Sequence, residues 1–138
     1  MGSLHLFRDL PEVRSYSAGE YIFRAEEPGY TMYMVIEGEV DLLVDDAVVE
    51  TATPGAFLGE MALIIPARRS ASARARTDCR VFPIDETRFQ SLIKDTPSFA
   101  LDVMKVLAVR LHRTTARAAS HSRAGVRRAP TRRSRRKK

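Results

Sequence analysis

From Arg14 to Pro83 the apolar positions come in short runs rich in β-branched and aromatic residues. They are Tyr21-Ile22-Phe23, Met32-Tyr33-Met34-Val35-Ile36, Val40-Asp41-Leu42-Leu43-Val44, Ala47-Val48-Val49 and Val81-Phe82-Pro83-Ile84. Such runs predict strands. Turn signals separate them at Ala18-Gly19, Glu27-Pro28-Gly29, Glu37-Gly38, Asp45-Asp46 and Thr53-Pro54-Gly55, a spacing that suits a sandwich or barrel. The pattern predicts a mainly β fold with α, an antiparallel, jelly-roll-like β-roll.

After Ile84 the period changes. Asp85 is placed to cap a short helix with Phe89, Leu92 and Ile93 on one face. Thr96 and Pro97 open a second helix, because proline at the first helical position gives up no intrahelical bond. That helix is expected to end near Ser120. Leu101, Met104, Ala108, Leu111, Thr115 and Ala118 follow a 3-4 spacing that suits a helix–helix seam between two copies. Val103, Val106 and Leu107 widen the apolar arc, so a single core-facing side remains the other reading.

Charge changes the picture only at the C-terminus. Residues 121–138 hold nine basic residues and no acid, leaving 14 basic against 17 acidic residues in the first 120. With Gly125 and Pro130, this predicts a disordered basic tail after a mildly acidic domain. The expected division is a roll with hinge helix over 1–96, a long helix over 97–120 and the tail over 121–138. One cysteine, Cys79, excludes an internal disulfide. No apolar run approaches a membrane span, and the N-terminus has no secretory pattern, so the expected location is cytoplasmic without membrane contact. His5, His112 and His121 are scattered. No metal site and no catalytic constellation is expected.

The chemistry concentrates between Gly55 and Ala75. Gly59-Glu60-Met61-Ala62-Leu63 suits one helical turn, and Arg69, Ser70 and Ala71 follow at a fixed distance. Backbone N–H groups beside a guanidinium favour an anion. A carboxylate such as Glu60 repels an anion but accepts a hydroxyl. Phosphate and sugar on one ligand satisfy both, while a solvated face remains the bland alternative for Arg68-Arg69.

This stretch resembles the phosphate-binding cassette of the cyclic nucleotide-binding domain family, to which the catabolite activator protein, the regulatory subunits of protein kinase A and nucleotide-gated channels belong. The residues are Phe57-Leu58-Gly59-Glu60-Met61-Ala62-Leu63 and Arg68-Arg69-Ser70-Ala71-Ser72-Ala73-Arg74-Ala75. Gly19-Glu20-Tyr21-Ile22-Phe23, Glu27-Pro28-Gly29 and Met32 to Val40 follow the family's turns and strands in order, and the likeness extends over about residues 12–119.

The resemblance implies a cyclic nucleotide ligand, cAMP ahead of cGMP, and a regulatory rather than enzymatic role. It implies that Arg69, Ser70 and Ala71 hold the cyclic phosphate, that Glu60 accepts the ribose 2′-hydroxyl, that the Gly59 backbone lines the sugar, and that Met61 and Ala62 belong to the ligand-binding cassette. Thr114 and Thr115 fall where the catabolite activator protein reaches the base from its long helix; a polar helix face is the alternative. A serine at position 70 also allows a bond to the guanine amino group of cGMP. In the family, filling the cassette moves the short helix and hinge toward the roll, with the long helix as a lid.

The chain departs from the pattern at four places. Arg68 replaces the usual proline, Pro66 stands where glycine is frequent, Ala73 replaces valine, and Tyr30 replaces an aspartate. Arg68 leaves two candidates for the phosphate contact, of which spacing favours Arg69. The residues after the long helix lack the periodicity of a helix-turn-helix domain. The expected partners are the nucleotide, an unidentified protein and a second copy through the long helix, with weak non-specific nucleic acid contact through the tail. The alternative function is a basic-tailed, nucleic-acid-associated protein whose roll is mainly scaffold.

Overall fold

The computed structural model describes residues 7–65 and 67–128, with side chains through Arg113. Eight strands form two four-stranded antiparallel sheets. They are β1 (Arg14–Tyr16), β2 (Tyr21–Phe23), β3 (Thr31–Glu37), β4 (Val40–Val44), β5 (Ala47–Ala52), β6 (Phe57–Leu58), β7 (Ser72–Ala75) and β8 (Cys79–Asp85). One sheet runs β1-β8-β3-β6 and the other β2-β7-β4-β5. Sequence neighbours often lie in opposite sheets, as in a roll. The mainly β fold with C-terminal helices is as the pattern predicted.

Alternation along β3 creates two apolar layers. Tyr33 and Val35 face the roll interior with Phe23, Val40, Ala52, Leu58, Ala73, Ala75, Cys79 and Val81. Met32, Met34 and Ile36 project from the opposite face and are also fully buried. Aromatic side chains complete that outer layer. Phe7 stacks on Phe82 with ring centroids 4.6 Å apart, and Phe99 meets Phe7, Phe57 and Phe89 edge-on at 6.0, 5.6 and 5.8 Å.

The turns fall where the breakers stand. Asp45 and Asp46 both adopt positive φ, closing the β4–β5 hairpin with a two-residue turn. Helix α1 (Glu86–Asp95) begins at Asp85, whose carboxylate accepts from the Arg88 N–H at 2.8 Å. Helix α2 spans Ser98–Arg128, eight residues past the expected end at Ser120. Alanine and arginine are strong helix formers, and one interior glycine costs only about 1 kcal/mol. The chain divides into two compact units between Val103 and Met104. The described residues of the second unit, 104–128, belong to α2. The rest of the basic-tail expectation, residues 129–138, lies outside the described residues.

Candidate functional site

Arg69 is the centre of the expected cassette, and it is buried, with 7 % of its surface exposed. Its backbone explains why. The segment 68–72 is stitched to the β2–β3 loop by an isolated bridge between Pro28 and Arg68. Beside that bridge, Arg69 donates its N–H to the Glu27 carbonyl at 2.9 Å, and the Glu26 N–H donates to the Arg69 carbonyl at 2.8 Å. The Ala25 N–H donates to Ser72 Oγ at 2.9 Å. In an extended segment consecutive side chains point to opposite sides. Arg69 therefore points inward and Arg68 outward, where its Nη1 donates to the Glu26 carbonyl.

The socket around the Arg69 guanidinium comes from four segments. The group lies over the Phe23 ring, 4.1 Å from the centroid. Nη2 donates to the Thr31 carbonyl at 2.8 Å, and Nη1 reaches the Gly59 carbonyl at 3.4 Å. Gly29 and Gly59 supply the space, since a Cβ at either would overlap the guanidinium. Gly59 also sits at φ 69°, a left-handed conformation that side chains other than glycine rarely adopt.

The electrostatics of this group are unusual. Its bonded partners are neutral carbonyls, and among the described residues no carboxylate forms an ion pair with it. Burial lowers the guanidinium's pKa from its ordinary value, with the charges of Tyr33 and Glu27 opposing the shift. The cation persists at neutral pH. Its Nε is fully buried and has no hydrogen-bond partner among the described residues. A desolvated cation with an idle donor is costly, and an anion that reaches it relieves both defects.

The other expected residues take definite places. Glu60 opens the short 3-10 turn Glu60–Leu63 and is buried, with 5 % exposed. Met61 is exposed, Ala62 and Ala71 half-buried, and Ser70 exposed. Gly59 and Arg69 are brought into direct contact, with Glu60 adjacent to Gly59 in the chain. Thr114 and Thr115 lie on the α2 backbone, and their side chains are outside the described residues. Sequence reasoning missed Phe23, Gly29 and Thr31 as parts of the socket. The Glu27-Pro28-Gly29 turn, which also follows the family pattern, is the signal in the sequence that points to this part of the socket.

Residues 13–96 match the cyclic nucleotide-binding domain as a family. The chain belongs to that family. It is 35 % identical over 82 residues to a cAMP-dependent protein kinase regulatory subunit from Eremothecium gossypii, covering 59 % of this chain and 18 % of that protein. A CRP-like cAMP-activated global transcriptional regulator from Mycobacterium tuberculosis is 31 % identical over 104 residues, 72 % of this chain and 46 % of the regulator. The catabolite activator protein of Thermus thermophilus superposes with a TM-score of 0.72 at 29 % identity, covering 80 % of this chain and 54 % of that one. The cyclic nucleotide-binding chain thus spans less than half of either of these curated relatives. These two relatives are regulators by name. No helix among the described residues is long and apolar enough to cross a membrane.

Proposed function

We propose that the chain is a non-enzymatic receptor domain that binds cAMP in the cassette, with Arg69 receiving the cyclic phosphate. The observation that carries this reading is the buried Arg69 Nε, which among the described residues has no partner, in a guanidinium bonded there to carbonyls. Ser70 and Ala71 add hydrogen bonds to the phosphate, Glu60 accepts the ribose 2′-hydroxyl beside Gly59, and Met61 and Ala62 line the turn. Thr114 and Thr115 are carried as base contacts by the family likeness alone.

Isothermal titration with cAMP and cGMP side by side tests the reading. The expected result is saturable binding of both with cAMP the tighter. Tighter cGMP binding would move the assignment to a cGMP receptor through the Ser70 hydroxyl. Absence of binding to either would remove the receptor reading and leave the scaffold alternative.

The route outward from the cassette runs through Phe57. It stands two residues before Gly59 on β6 and packs edge-on against Phe99 at the start of α2. A ligand that moves the cassette turn acts on this contact, and through Phe99 on Phe89 of α1. Only differential affinity for two arrangements of these rings can shift their balance.

A second copy is the proposed partner for the exposed side of α2. Leu101, Met104 and Leu111 follow the seam spacing and are 49, 57 and 68 % exposed. Sedimentation equilibrium is expected to show a dimer that Leu111→Glu weakens at least tenfold. An unchanged monomer in both proteins would remove this partner.

A further inference from the structure

On the outer side of the Glu27–Thr31 loop lies a cleft of about 500 Å3, whose lining includes Gly29 and Ala62 but not Arg69, Phe23 or Thr31. Two of the chain's departures from the family pattern, Tyr30 and Arg68, both line it, together with Gly29, Ile64, Ile65 and Glu86. Tyr30 is 76 % exposed, and Ile64 and Ile65 are about half exposed. Large apolar side chains left uncovered around one concavity mark a binding surface. Arg68, also exposed, spends an Nη1 donor on the Glu26 carbonyl and forms no ion pair among the described residues.

We propose that this cleft is a second nucleotide site, taking a purine mononucleotide, with the cyclic nucleotide itself as the test ligand. Three groups supply the recognition. The Tyr30 ring offers a face on which a base stacks, over a floor of Ile64 and Ile65. The Arg68 fork offers its remaining donors to a phosphate. Glu86, in the first turn of α1, repels a phosphate and so belongs at the other end of the ligand, where it accepts from a base amino group or a ribose hydroxyl. The volume lies within the range of small-ligand sites and suits one nucleotide.

The two sites stand back to back. Gly29 lines the outer cleft and also backs the Arg69 guanidinium. The bridge between Pro28 and Arg68 holds the consecutive arginines on opposite sides of one loop. The outer cleft shares Gly29 and Ala62 with the inner cassette, but the contacts proposed for its ligand come from Tyr30, Arg68 and Glu86, which the inner reading does not use.

Calorimetric titration of the full chain with cAMP, carried to millimolar concentration, tests it. The wild-type chain is expected to show two events, and Arg69→Ala to lose the tighter while keeping the weaker. Tyr30→Ala combined with Arg68→Ala is expected to lose the weaker by about 5- to 150-fold, the effect of removing one base-stacking contact, and to keep the tighter. Both side chains are exposed, so an unchanged circular dichroism melt verifies the fold. A single event that survives the double substitution and disappears in Arg69→Ala overturns the outer site and leaves the inner one standing. A weak event lost in the double variant, with no event sensitive to Arg69→Ala, keeps the outer site and overturns the inner. Adenosine binding the outer site as tightly as cAMP would overturn the role of Arg68.

Discussion

Arg69→Ala is expected to weaken cAMP binding by about 1.5 to 3.5 decades. Truncating one partner of a desolvated charge pair costs roughly 2–5 kcal/mol, and each decade corresponds to about 1.4 kcal/mol. The geometry of the socket supports that expected range. The guanidinium is fixed before any ligand arrives, by the Phe23 ring and the carbonyls of Thr31 and Gly59. A phosphate therefore meets a cation already stripped of water. Arg69→Lys keeps the charge but not the planar fork and is expected to lie between the two, because a point charge cannot hold both carbonyls and the ligand. Calorimetry on the three proteins reads the order directly, and equal affinities would remove Arg69 from the site.

Gly29→Ala is the second large effect, and it acts on the same group from outside. The three atoms nearest to a Cβ at position 29 all belong to the Arg69 side chain, namely Nε, Cζ and Nη2. The guanidinium must leave the Phe23 ring to make room, so cAMP affinity is expected to fall at least tenfold. In the Arg69→Ala background the added methyl meets no guanidinium. A double-mutant cycle on unfolding stability is thus expected to show coupling of about 0.5–3 kcal/mol. Additivity would mean that the two residues do not touch in solution. Gly59→Ala is a poorer probe, since its left-handed backbone adds strain of about 1–2 kcal/mol whatever happens to Arg69.

Much of this fold is legible in the chain because its strongest strands carry their own signal. In β3, Met32, Met34 and Ile36 face one layer and Tyr33 and Val35 the other, so a run that is apolar throughout marks a strand buried on both sides. The strands that escaped were β1, β6 and β7. β7 reads Ser-Ala-Arg-Ala, with Ala73 and Ala75 buried, and small residues carry little strand preference. Its place is set by pairing with β2 and β4, a tertiary effect. Helix α2 outran its expected end for the opposite reason, because local propensity carried the helix through Gly125.

The site was legible along the chain but not across it. Gly59, Glu60 and Arg69 stand out in one short stretch. Phe23, Gly29 and Thr31 join Arg69 from 38 or more residues upstream, and no spacing rule reaches that far. Spacing favours Arg69 over Arg68, and the bridge to Pro28 adds that the two side chains face opposite sides of the loop. The same bridge sets Arg68 and Tyr30 around the outer cleft, where two apparent irregularities of the sequence acquire a common place.

The most direct measurement is the nitrogen-15 NMR signal of the Arg69 Nε–H during titration with cAMP, assigned by its loss in Arg69→Lys. Capture of the cyclic phosphate by that idle donor predicts a large downfield proton shift and slowed solvent exchange at one equivalent. A signal that stays in place while cAMP saturates the protein would show that the nucleotide sits elsewhere.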